Sequence, residues 1–251
     1  MEPFVVELLA DMTEKALEAA IEEIDKLRPG MPNPDIPRDV TEIFLEENPI
    51  PPGIWSAFEQ VSPSVKSEAL EKAEMRFLTE AEIKKVREIT RMKESVLRGA
   101  LIDANGKIYL RCDNENNLII DGEGMRHEKT GVPYVRKEVD INGIKIEVVV
   151  PEFDSVFDTV LSEGAIESGS EMQHLSECIR NLRDELSKNP DLRARFTDEE
   201  LKMIEESKDG RLKGYTWHHD AEYGRMQLVK TGVHSKTGHT GGMSIWGGGY
   251  S

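Results

Sequence analysis

Cysteine is nearly absent from this chain: Cys112 and Cys178 are the two among 251 residues. Neither sits in a CxxC pair, which excludes a thioredoxin motif and a cysteine-based zinc finger, and free thiols are expected rather than a disulfide. Long apolar runs are missing too. No stretch approaches the roughly 18 residues that a membrane-spanning helix needs, so no membrane partner is expected. The opening residues, Met1-Glu2-Pro3-Phe4-Val5-Val6-Glu7, lack the basic start of a secretory signal, so any export would use another kind of route. Positive charge is in deficit: 32 Lys and Arg face 48 Asp and Glu, a net −16. Such a chain does not bind nucleic acid over its whole surface. The deficit is uneven. Residues 211–251 carry +3, from Arg211, Lys213, Arg225, Lys230 and Lys236 against Asp220 and Glu222, which leaves −19 on residues 1–210. A mildly basic tail on an acidic body is compatible with a phosphate-binding site at one end.

What is present reads as helix, then hairpins, then helix. Residues 4–27 space Val5, Leu8, Leu9, Met12, Leu17, Ile21 and Ile24 along one helical face. Pro29, Pro32, Pro34 and Pro37 break the chain into a loop, and a short helix around 39–47 ends at the stop over 48–53. Residues 64–76 and 80–98 read as two more helices, the second opened by the capping box of Thr79 and Glu82. Near Gly99 the pattern changes. Residues 100–104 and 107–112 flank Asn105-Gly106, and residues 134–140 and 144–150 flank Asn142-Gly143, in each case the dipeptide of a type I′ hairpin. Residues 117–121 add a strand. Helical spacing returns over 170–188, and Thr197 with Glu200 caps a helix reaching about Ser207. The expected fold is α+β: a helical region 1–98 of unassigned role, then a unit 99–251 with a β-rich part 99–150, helices 170–208 and a compact end 211–247.

Histidine is also rare, and its distribution is the most informative feature of the chain. Four of the six lie within 22 residues: His218, His219, His234 and His239. Imidazole is both the commonest metal ligand and a general base near neutral pH, the pair of functions that metal-assisted hydrolysis requires. Tyr215–His219 and Arg225–Lys230 favour strands joined by a turn, and Thr231 is expected to cap a helical turn or two ending at Gly238. A hairpin packed on a short helix is a compact cage for one divalent ion. The spacing is imperfect. Neighbouring strand residues face opposite ways, so His218 and His219 converge only where the strand ends or bends. His234 and His239 are five residues apart, so His239 is expected to ligate from beyond Gly238. His127 and His174 stand alone and read as surface or packing residues; Glu152 and Asp154 read as structural.

Trp217-His218-His219, the stretch Met226-Gln227-Leu228-Val229, His234, Gly238-His239-Thr240-Gly241-Gly242 and Ile245-Trp246-Gly247-Gly248 together resemble the WHH family of HNH/endonuclease VII-like nucleases, toxin tips of bacterial polymorphic toxins. Gly131-Val132-Pro133-Tyr134, Pro151-Glu152-Phe153-Asp154 and the Asn189-Pro190 to Phe196 segment extend the resemblance over about 125–251. It implies a ββα-metal unit at 211–247 in which His219 is the general base. It further implies that His218, His234 and His239 hold one divalent metal, of a kind (Mg, Mn, Ni or Zn) left open. Gln227 stands where the family usually has a loop-bracing Asn, and Trp217 would pack under the hairpin. Arg225, Lys230 and Lys236 are expected at substrate phosphates.

The resulting expectation is a metal-dependent endonuclease acting on DNA or RNA. The family implies residence in the bacterial cytoplasm before export, delivery into target cells without a signal peptide, and a cognate immunity protein. The alternative is a ββα binding module in which four histidines close a structural metal shell and no water is activated.

Overall fold

The computed structural model describes residues 75–112, 117–121 and 124–248. The helices read at 4–27 and 39–47, and most of that at 64–76, lie outside these residues. Three sheets organise the rest. The largest has five strands in the order β1 (Met75–Phe77), β2 (Leu101–Asp103), β3 (Ile108–Tyr109), β7 (Ile144–Pro151) and β6 (Tyr134–Ile141). Its ladders are antiparallel except for the parallel pairing of β3 with β7. A two-stranded ribbon, β4 (Leu118–Asp121) and β5 (Gly124–His127), lies beside it in sequence. The third sheet, which carries the C-terminal histidines, has the order β8 (Phe157–Val160), β10 (Arg225–Lys230) and β9 (Tyr215–His219).

The turn chemistry explains the registers. Asn142 and Gly143 both take positive φ (53° and 84°), and Ile141 faces Ile144, so this is the two-residue turn expected. Asn105-Gly106 behaves differently. Asp103 and Lys107 close a three-residue loop, with Gly106 at φ 84° and the Asp103 carboxylate accepting from the N–H groups of Asn105 and Lys107 at 2.9 Å. A carboxylate at the strand end makes the longer turn self-sufficient. Along β7, Ile146, Val148 and Val150 enter the main core, while Val149 packs beneath the ribbon with Cys112, Leu118, Met125 and Tyr134. Burial on both faces is the reason this segment reads as a nearly continuous apolar run.

Two expectations about the start of the described region are corrected. Residues 75 and 76, placed at the end of a helix, belong instead to the edge strand β1, with Met75 opposite Asp103. The helix expected over 80–98 stops early: α1 (Glu80–Thr90) ends at Arg91 in the left-handed conformation, and α2 (Glu94–Leu97) is a separate turn. The break buries Met92, hooks the Arg91 guanidinium onto the carbonyl of Glu167, and lets the Lys93 N–H reach the Ser244 carbonyl at 3.0 Å. The capping box of Thr79 and Glu82 forms as read. Leu78, Ile83, Val86, Met92 and Leu97 join the same core as Ile141, Ile146 and Trp246. These contacts join residues 78–97 to the strands and helices that follow.

Helices close the other side. α3 (Glu163–Ser168) is followed by α4 (Glu171–Leu186), which buries His174, Leu175, Cys178, Ile179, Leu182 and Leu186. α5 (Pro190–Arg193) and α6 (Asp198–Glu206), the latter with the Thr197–Glu200 capping box, complete the helical layer. Both cysteines are buried and form no disulfide. No helix of the described residues is long and apolar enough to cross a membrane.

After β10 come two single turns, α7 (Thr231–His234) and α8 (Gly242–Ile245). Thr231 does not cap α7; its hydroxyl pairs with that of Thr216 at 2.9 Å, and Lys230 holds the cap position without a side-chain bond. α8 is clamped where Trp246 donates its indole N–H to the Asp220 carbonyl at 2.8 Å. Gly242 permits this. A Cβ there would lie 2.0 Å from the Asp220 carbonyl oxygen and 2.5 Å from the Trp246 indole nitrogen. We expect Gly242→Ala to destabilise by about 1–3 kcal/mol or more through forced backbone movement, lowering Tm by roughly 5–10 °C. Thermal unfolding checks this, and an unchanged Tm would mean that α8 yields freely.

Candidate active site

The site begins with the pleat of β9. His218 and His219 are its last two residues, and alternation sends their side chains to opposite faces. His218 stands opposite Gln227 of β10. On its side of the strand it meets His234, at the end of α7, and His239, in the loop beyond Gly238. The His218 Nδ1 lies 3.3 Å from His234 Nε2 and 3.2 Å from His239 Nε2. One nitrogen from each of the three rings falls within 4.8 Å of the others.

The His239 tautomer follows from its neighbour. Its Nδ1 lies 2.7 Å from the Thr237 carbonyl, which only accepts, so Nδ1 carries the proton and Nε2 presents a lone pair to the cluster. The loop is pinned by Thr237, whose hydroxyl donates to the Val233 carbonyl at 2.9 Å and meets Thr130 at 2.8 Å, and by the Tyr134 hydroxyl, which donates to the Gly238 carbonyl. Phe153 supports all three rings, with centroids 4.8, 5.3 and 5.4 Å from His218, His234 and His239.

Such a donor set fits a divalent transition ion. Imidazole nitrogens bound at about 2.0–2.1 Å around one tetrahedral ion lie roughly 3.3 Å apart, as the two pairs at His218 do. Burial and mutual proximity also keep the rings uncharged. Desolvation, then repulsion from His239, His234 and His219, lowers the His218 pKa well below its ordinary value. Desolvation and His239 bring His234 to about 4, and burial lowers His239 against the opposing pull of the Thr237 carbonyl and Asp220.

His219 does not join the cluster. It is buried on the other side, its ring 5.4 Å from Trp246, and its Nε2 lies 3.0 Å from the Nδ1 of His174 on α4. Burial first, then His174 and His234, lower its pKa to about 3. Asp220 follows at once, its carboxylate buried and held by Lys137 of β6 at 2.9 and 3.0 Å and by the N–H of Glu222 at 2.8 Å. The hairpin end is thereby tied to the five-stranded sheet.

These shifts have a sign that can be measured. His219 and His234 titrate near 3 and 4 when folded, against 6.5 for an ordinary histidine. Between about pH 6.5 and 4 the unfolded chain therefore binds more protons than the folded one, so metal-free stability must fall as pH falls, by up to about 1.4 kcal/mol per pH unit per proton. Urea titrations at pH 7.5 and 5.5 in chelator check this; equal stabilities would mean that the cluster protonates in place.

The other expected site residues are placed as follows. Gln227 sits mid-strand, its Nε2 donating to Asp158 of β8 at 3.3 Å, with Oε1 buried and unbonded among the described residues. Arg225 is engaged by Asp158 at 2.6 Å, and Lys230 by the Tyr215 hydroxyl and by Glu200 at 3.4 Å. Lys236 is exposed and forms no ion pair with a described residue. Trp217 is buried as expected, its indole donating to the Gly210 carbonyl at 3.0 Å and its ring against Phe157. The sequence reading missed His174, Phe153, Lys137 and the strand β8.

Residues 142–241 match the profile of the DNase/tRNase domain of colicin-like bacteriocin. No curated protein and no solved structure matches the chain. The similarity supports a nuclease toxin domain here, and it is to the bacteriocin group rather than to the narrower WHH group. The matched stretch contains Phe153, His174 and all four C-terminal histidines.

Proposed function

We propose that this chain is a metal-dependent endonuclease of the HNH type, acting as a delivered bacterial toxin. The observation that carries the reading is the division of labour among the four C-terminal histidines. Three converge on one point, while the fourth is turned away with its Nε2 toward His174. A structural binding module would close its shell with four donors; three leave a position open, as catalytic sites do.

His218, His234 and His239 would hold the cation. When bound, it supplies electrostatic stabilisation to the phosphoryl oxygens and the departing oxygen. His219 takes a proton from water as the water oxygen bonds to phosphorus, the P–O3′ bond breaks in line, and the leaving oxygen takes up a proton from solvent. Of the three basic residues expected at phosphates, Lys236 is the one with no ion-pair partner among the described residues, and it would contact a flanking phosphate. Self-directed nuclease activity demands restraint in the producer, which we assign to a cognate immunity protein, with delivery into target cells following export.

The test is cleavage by the purified protein of supercoiled plasmid and of total RNA, with Mg, Mn, Ni or Zn and a chelator control. Metal-dependent cutting of either supports the proposal and names the substrate. Tight metal binding with no cutting of either would move the assignment to a structural module.

A further inference from the structure

His174 is completely buried, and it is supplied by a helix 45 residues upstream of the residue it meets. Its Nε2 lies 3.0 Å from the Ala165 carbonyl in α3, and its Nδ1 lies 3.0 Å from the Nε2 of His219. A carbonyl oxygen can only accept, so the proton of neutral His174 is on Nε2. Its Nδ1 is then a lone pair and can only accept in turn. The facing nitrogen of His219 must therefore carry a proton, leaving His219 Nδ1 as its basic nitrogen. Burial lowers the His174 pKa, which keeps the ring in the neutral form that this sequence of bonds requires.

Resting on the nuclease reading above, we infer that His174 is a positioning residue: the Ala165 carbonyl, His174 and His219 form a fixed donor sequence that holds the general base in its Nδ1-basic tautomer and fixes its ring plane. Geometry supports a role beyond filling space. The two rings are tilted by 58° with centroids 5.2 Å apart, an arrangement set by the nitrogen-to-nitrogen contact and not by stacking. Trp246 lies beside both rings, its centroid 6.1 Å from His174 and 5.4 Å from His219. A base so held has one orientation in which to work, and an acceptor behind it also stabilises the imidazolium formed when it takes a proton.

The test uses the full chain with 15N-labelled histidine, and the His219 ring signals are those lost in His219→Ala. In the unaltered protein, Nε2 of His219 is expected to be protonated and Nδ1 unprotonated; the reverse would overturn the inference without any variant. His174→Phe keeps ring size but removes the acceptor. It is expected to mix the tautomers and to lower kcat by about 10–100-fold, with KM and metal affinity changed by no more than about twofold. His174→Gln, whose side-chain carbonyl accepts the same N–H, is expected to recover most of the loss. Equal impairment of the two variants, or a parental tautomer and kcat in His174→Phe, would reject the positioning role. Should the unaltered protein cut no nucleic acid with any metal, the nuclease reading fails separately, and the tautomer measurement still decides what His174 does to His219.

Discussion

His219→Ala is expected to lower kcat for phosphodiester cleavage by about 10²–10⁴-fold, the usual worth of a positioned general base, while metal binding is retained. The separation follows from the pleat. His219 sits on the opposite face of β9 from the three converging nitrogens, and its Nε2 is taken by His174. Its removal subtracts a proton acceptor and no ligand. The low intrinsic pKa, about 3, keeps the ring unprotonated throughout the neutral range. An anionic phosphodiester beside it raises its proton affinity at the moment of use. The measurement is kcat together with isothermal titration of the metal: normal turnover in the variant would remove His219 from the mechanism, and lost metal binding would make it a ligand.

The complementary variant is His234→Ala, for which we expect loss of both properties. Truncation leaves two of three donors, and metal affinity should fall by more than the roughly 10–100-fold that loss of an outer-shell partner costs, with cleavage falling in parallel at limiting metal. His234 is the best choice among the three because it is partly exposed at the end of a single-turn helix, so its loss disturbs packing least. Unchanged metal affinity in this variant would contradict the ligand assignment outright.

How much of this was readable in advance depended on how local each signal was. The histidine cluster was legible because imidazoles are rare in the chain and four crowd into one short segment. The hairpins at 142–143 and 215–230 and the capped helices were legible because turn and cap chemistry acts over two to four residues. The first of these is seen in the positive φ of Asn142 and Gly143. His174 was not legible. Its helical spacing with Leu175, Cys178 and Ile179 marks it as core, and only the packing of α4 against β9 turns a buried imidazole toward His219. β8 was hidden for a related reason: it is four residues long, its side chains are partly exposed, and it exists by pairing with β10. The partners of Arg225 and Lys230 were not legible, because charge alone does not reveal that Asp158 and Glu200 stand beside them.

The tie between Lys137 and Asp220 reaches outside the segment that matches the bacteriocin profile. The profile match starts at Asn142, inside the turn between β6 and β7, and stops at Gly241. A piece cut at those limits would keep every histidine of the site and lose Lys137, the whole of β6, and the indole that caps the Asp220 carbonyl. Asp220 would then sit beside His219 as a buried carboxylate without its nearest cation, at the end of a strand still paired with β10 but no longer tied to β6. On the proposed reading, Lys137 and Trp246 are part of the site's foundation, which then extends beyond both ends of the matched segment.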